Sequence, residues 1–161
     1  MRRWLRYVLA GFMLSVVATL ATLWFVWFSP LGYVAPADLP AIDASREHRV
    51  FVYGTLRQPL VRRLVTGEWI DTGDAVLPGC VRRGLDLEQQ RDGSTEGEVF
   101  SVKAPALLRL DRYERLGIRY DRVKMLLSDG EAAWVYRRLP EDPAAQPRCS
   151  ASSASTSKGG A

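Results

Sequence analysis

Val50-Phe51-Val52-Tyr53-Gly54-Thr55-Leu56-Arg57-Gln58-Pro59 is the stretch on which the reading of this chain turns. Arg49 to Tyr53 is β-branched and aromatic and reads as a strand that stops at Gly54. Pro59 can open a helix, with Leu60, Val61, Leu64 and Val65 as its apolar stripe and Gly67 as its end. Backbone N–H groups at such a strand-to-helix junction can form an anion-binding concavity, although spacing alone favours an ordinary turn. The glycine pattern and lysine of a P-loop are missing, which disfavours nucleotide binding.

Downstream, Ala75 to Leu77 reads as a short strand before Pro78-Gly79, and Gly97 to Val102 as another entered from the turn-rich Asp92-Gly93-Ser94. Pro105 to Leu116 carries the clearest helical pattern. Arg122–Leu127 and Ala132–Tyr136 form a hairpin about Ser128-Asp129-Gly130. Strands at both ends with helices between them predict an α+β domain. On the Pro105 helix, Leu107 and Leu110 mark the core face, and Glu114 lies on the same stripe. Desolvation there would raise its pKa and make it a candidate general acid or base. A salt bridge with Arg119 or Arg122 is an equal reading of the same position. His48 reads as a solvated linker histidine, Glu96 and Glu98 as exposed strand charges, and Cys80 as a small buried apolar residue. Tyr53, Tyr120 and Tyr136 could present hydroxyls to a pocket, but strand aromatics usually serve the core.

Upstream, Tyr7 to Phe28 is a run of 22 residues without a charge. As a helix it would extend about 33 Å, against a hydrocarbon core of about 30 Å. Trp4 and Tyr7 stand at one end, Trp24, Trp27, Phe28 and Tyr33 at the other, as interfacial rings do. Arg2, Arg3 and Arg6 precede the run, and no Lys or Arg follows it before Arg46. The charge asymmetry predicts a single-pass protein with a cytoplasmic N-terminus and a C-terminal domain across the membrane, periplasmic or otherwise extracytoplasmic if bacterial. A cleavable signal peptide at Ala18-Thr19-Leu20-Ala21 is the rival; against it, the apolar run outlasts the usual h-region of about 7–15 residues. A buried core helix would need a polar face that is absent. The expected organisation is a basic flank at 1–6, a transmembrane signal anchor at 7–28, a Pro/Ala-rich linker at 29–48, a folded domain at 49–140 and a disordered tail at 141–161.

The 161 residues hold one domain plus an anchor or tail, with 47% hydrophobic and 25% charged residues. Three of the four net positive charges precede residue 7, so the basic balance marks a membrane flank and not a nucleic-acid binder. One histidine and two cysteines exclude a histidine-rich metal site, a disulfide scaffold and a four-ligand zinc site. Cys149, in the tail, reads as a bystander, and nothing in the sequence supports its pairing with Cys80.

Taken together, the motifs resemble the gamma-glutamylcyclotransferase-like (AIG2-like) superfamily. Val50 to Arg57 is similar to its opening strand and Tyr-Gly-Ser/Thr-Leu loop, and Leu77-Pro78-Gly79-Cys80 to its Leu-x-Gly. Gly97-Glu98-Val99-Phe100-Ser101-Val102 is similar to its Gly-x-Val/Leu-Tyr/Phe-x-Val strand, and Leu110-Asp111-Arg112-Tyr113-Glu114 to its Leu-Asp-x-x-Glu helix. Tyr120-Asp121-Arg122 matches its Tyr-x-Arg, and Trp134-Val135-Tyr136 its closing aromatic strand. The resemblance spans about residues 49–139. It implies a mixed β-barrel with flanking helices, here preceded by one transmembrane helix. It further implies a catalytic acid/base at Glu114 and substrate contacts at Tyr53, Gly54, Thr55, Leu56 and Tyr120. The implied partner is a small gamma-glutamyl compound, cyclised to 5-oxoproline with release of its amine and without a metal or cofactor. The alternative is a non-catalytic binding module of the same fold. Two departures touch the pocket wall: Arg115 where many members have Gly, and Gln58-Pro59 where many have a Gly-containing turn.

Overall fold

The computed structural model describes residues 2–28, 33–140 and 149, and the side chains of 2, 3, 5 and 23–28 are not among those described. The chain divides into two compact units, Met1–Val34 and Ala35–Ala161. The first contains helix α1, Arg2–Phe28. Among the described residues no helix is long and apolar enough to cross a membrane. The last six side chains of the expected 7–28 span lie outside the described residues. Those of Tyr7, Phe12, Met13, Leu14, Val17 and Leu20 are all exposed.

In the second unit the elements run β1 (His48–Val52), α2 (Pro59–Thr66), β2 (Gly73–Arg83), β3 (Asp86–Val102), α3 (Ala104–Tyr113), β4 (Tyr120–Leu126) and β5 (Ala132–Arg138). The five strands form one mixed sheet in the order β2-β3-β1-β5-β4. The pair β1–β5 is parallel and the others are antiparallel. The two outer strands approach at one end, where Ser128 N–H donates to Val76 O at 2.9 Å, so the sheet is curled.

Period-two alternation along the central strand explains the core. Val50 and Val52 face the helices with Leu107, Leu110 and Leu116, whereas Phe51 and Tyr53 face the inside of the curl with Leu77, Leu87, Met125 and Val135. Because β1 is covered on both sides, its sequence is continuously apolar. Every residue of both clusters, with those packed on them, lies between Leu39 and Cys149. The unit from Ala35 thus carries a core of its own, as an independently folding domain requires.

Helix α2 begins at Pro59 and stops at Gly67, whose φ of 83° places it in the left-handed region as its N–H donates to Arg63 O at 2.8 Å. Three expectations change. The segment 29–48 was expected as a linker, yet from Leu39 onward it is seated on the domain. Leu39 and Ile42 pack on the core and Pro40 O accepts from Arg122 at 2.6 Å. His48 is buried, not solvated; its ring bonds Asp43 O at 2.9 Å and meets Trp134 Nε1 at 3.4 Å. The tail 141–161 lies outside the described residues except for Cys149. That cysteine is no bystander: it is buried, forms a disulfide with Cys80, and its carbonyl accepts from Arg137.

Candidate functional site

The strand directions bring the candidate residues to one end of the sheet. Tyr53 follows the C-terminal end of β1, and parallel β5 brings Tyr136 and Arg138 to the same end. Antiparallel β4 starts there, with Tyr120 opposite Arg138. The β2–β3 hairpin reaches the same place: Tyr53 Oη lies 2.9 Å from Tyr136 O and 3.4 Å from Leu85 O. Residues far apart in sequence therefore converge because the register of three strands puts their ends together.

Gly54 and the 3-10 turn Thr55–Arg57 form the loop beyond β1. Arg57 N–H donates to Gly54 O at 3.2 Å and Gln58 N–H to Thr55 O at 3.0 Å, while the amides that open the turn have no acceptor within it. A Cβ at Gly54 would meet nothing within 4 Å, so open space adjoins the loop. Arg62, buried on α2, fixes the loop from below by donating to Leu56 O at 2.9 Å and to Glu98 at 3.0 Å. Glu98 is consequently half-buried in an ion pair and is not the exposed strand charge expected for it. Arg82, from the hairpin, donates to Tyr53 O at 2.5 Å and Gly84 O at 2.7 Å.

Glu114 sits at the C-cap of α3, three residues after the buried Asp111. The helix closes at Tyr113, earlier than the expected Leu116, and Arg115 turns the chain with φ 51°. This is the left-handed conformation in which glycine is at no disadvantage. The Glu114 carboxylate makes no hydrogen bond or ion pair among the described residues. Neither expected salt bridge forms: Arg122 lies 3.5 Å from Asp111 instead, and Arg119 acts only through its charge. Burial pushes Glu114 up to about 7, with Arg119 opposing. Its charge in turn raises Tyr120 and Tyr53, although burial is the larger cause for both. A carboxyl raised toward neutrality can hold and return a proton.

Of the six residues expected at the site, Glu114, Tyr53, Gly54, Thr55 and Tyr120 are brought to this end of the sheet. Leu56 differs: its side chain is buried in the core, so only its main chain can face a ligand. Sequence reasoning missed Arg82 as a support of the Tyr53 loop, and Tyr113, whose hydroxyl lies 3.4 Å from Thr55 Oγ1. Tyr113 is legible in hindsight beside Glu114; Arg82 is not, because its place depends on a long hairpin. A cleft of about 530 Å³ lies apart from Glu114, lined in part by Trp69, Ser101 and Lys103. Among the described residues no cluster of His, Cys, Asp and Glu could hold a metal ion.

A family model described as "Gamma-glutamyl cyclotransferase, AIG2-like" matches residues 50–154. No curated protein matches the chain. Among solved structures, the chain is similar to two Arabidopsis thaliana proteins studied in solution. One is 26% identical, with a TM-score of 0.52 over 65% of this chain and 70% of the other. The second is 27% identical, with a TM-score of 0.51 over 63% and 75%. A structure titled "Gamma-glutamyl cyclotransferase" is 14% identical, with a TM-score of 0.48 over 58% of this chain and 68% of its own.

Proposed function

Because the chain belongs to the gamma-glutamyl cyclotransferase, AIG2-like family, we propose that it is a membrane-anchored enzyme that cyclises a gamma-glutamyl amine or peptide to 5-oxoproline, releasing the amine. The observation that carries this reading is Glu114: a half-buried carboxyl with no ion partner among the described residues, raised to about 7 and close enough to Tyr53 and Tyr120 for its charge to act on both.

The substrate's own α-amino group is the nucleophile and closes a five-membered ring on the γ-carbonyl carbon, so proximity is intrinsic to it. Glu114, ionised, accepts a proton from the α-ammonium. The freed amine attacks the γ-carbonyl, and the ring closes through a tetrahedral intermediate. Glu114 then gives its proton to the departing nitrogen as the C–N bond breaks, and the second proton left on the ring nitrogen passes by the same carboxylate to the released amine, which leaves as an ammonium ion. No water is consumed and the carboxylate is regenerated. Main-chain N–H groups of Gly54, Thr55 and Leu56 are the donors available to the developing oxyanion. The same route excludes gamma-glutamyl peptides whose glutamyl nitrogen is acylated, since they lack the nucleophile.

Several observations support an anchor and an extracytoplasmic domain. The uncharged run 7–28 follows three arginines. Thr19 and Thr22 hydroxyls donate back to Ser15 O and Ala18 O at 2.9 and 2.8 Å, which satisfies them in a solvent without partners. The Cys80–Cys149 disulfide suits an oxidising compartment.

The test is 5-oxoproline release by residues 35–161 from a panel of gamma-glutamyl amino acids and amines, with an N-acetylated member as control. The expected result is turnover of the free-amino members only, a kcat/KM that rises with pH through about 7, and a loss of roughly 10²–10⁴-fold in Glu114→Gln. Binding without turnover by the folded wild type would make the protein a binding module instead.

A further inference from the structure

Helix α2 has apolar residues on both sides. Val61 and Val65 pack on the core, as an amphipathic helix requires, yet Leu60 and Leu64 on the outer face are 68% and 77% exposed. With Arg63 they form one stripe at i, i+3 and i+4. Trp69, 65% exposed, continues it: the Arg63 guanidinium lies 5.1 Å from its ring centre. Arg109 of α3 donates to Thr66 O at the end of α2, so the outer face of α3, with exposed Leu108, borders the same surface.

The outer faces of α2 and α3 are basic, while Glu68, Asp71 and Glu47 line the cleft beside Trp69. The exposed charged residues from Arg57 to Trp69 and from Lys103 to Tyr113 are Arg57, Arg63, Lys103, Arg109 and Arg112, against Glu68 alone. The whole chain is only +4, three of which precede residue 7. The acidic residues are thus concentrated elsewhere on the domain, and the two helices present a basic, leucine-bearing face. Two copies would repel through it, which argues against self-association. Exposed leucines and a tryptophan among arginines match the boundary between anionic headgroups and acyl chains.

We propose that the α2–α3 face docks on an anionic lipid bilayer, with Leu60, Leu64 and Trp69 entering the headgroup region and Arg63 and Arg112 meeting lipid phosphates. The choice of lipid as occupant rests on the anchor proposed above; the docking itself is measured without the anchor.

The test is co-sedimentation of residues 35–161, which carry their own core, with vesicles of phosphatidylglycerol and phosphatidylcholine or of phosphatidylcholine alone. The expected result is partition onto the anionic vesicles only, weakened by salt, with a blue shift of Trp69 emission measured in a Trp134→Phe background. Leu60→Ser with Leu64→Ser should lower partition by at least about tenfold, and Arg63→Ser by about fivefold. All three side chains are exposed, so circular dichroism and melting should match wild type. Absence of partition by the folded fragment, or partition untouched by these changes, would overturn the proposal. So would a dimer in sedimentation velocity that the leucine changes dissolve, since that would give the face to a second copy. Turnover of a soluble gamma-glutamyl substrate in the same samples reports on the enzyme reading separately.

Discussion

Glu114 is poorly placed for a stable carboxylate, and that is what suits it to proton transfer. Its folded value stands at about 7 against the usual 4.5 because burial penalises the charge. Between those values the folded state holds a proton that the unfolded state releases, so stability falls as pH rises from about 4.5 to 7. At roughly 1.4 kcal/mol per pH unit separating the two values, the deficit above pH 7 is on the order of 3 kcal/mol. Denaturant titrations at pH 4 and pH 8 should show this, with Glu114→Gln lacking the slope and more stable than wild type at the higher pH. Arg115, next in the chain, adopts φ 51° with a side chain, at a cost of about 1–2 kcal/mol relative to an unstrained backbone. The resemblance to the Leu-Asp-x-x-Glu motif marked Glu114 as the acid or base. That its carboxylate has no ion partner among the described residues was not legible, because whether Arg122 turns to Glu114 or to Asp111 depends on packing across β4.

At the scale of elements, α2 and the β4–β5 hairpin were readable because local chemistry dictates them: Pro59 and Gly67 bracket one, Ser128-Asp129-Gly130 turns the other. The β2–β3 hairpin was not. Pro78-Gly79 and Asp92-Gly93-Ser94 read as strand ends, yet both lie within strands, where the register shifts between Pro78 and Cys80. Breakers are tolerated inside a strand at such irregularities, and only pairing over many residues shows which kind of breaker they are. Gly97 is the residue on which that pairing depends beside the site: a Cβ there would lie 2.4 Å from Val52 O and 2.6 Å from Phe51 Cζ. Gly97→Ala is therefore expected to lower stability by about 2–3 kcal/mol in chemical denaturation. By displacing the end of β1, it should also reduce turnover.

For the molecule as a whole, the disulfide joins the C-terminal segment to the inner core across 69 residues of chain. Closing a loop of that length removes denatured-state entropy, typically stabilising by about 2–4 kcal/mol. Cys80→Ser with Cys149→Ser, or reduction of the wild type, should lower the melting temperature of residues 35–161 accordingly; an unchanged melting curve would show the bond contributes nothing. The family model's match to 154 takes in Cys149, although the Ser/Ala-rich composition around it suggested a tail outside the domain. Apolar strands, two bracketed helices and six ordered motifs are local properties of the chain, and they determined the α+β class, the family and the position of Glu114. The pairing of Cys80 with Cys149, the burial of His48, the Glu98–Arg62 ion pair and the support of Tyr53 by Arg82 were decided by tertiary structure alone. Each depends on residues that become neighbours only once helices and strands have packed together, and no local pattern encodes the distance between them.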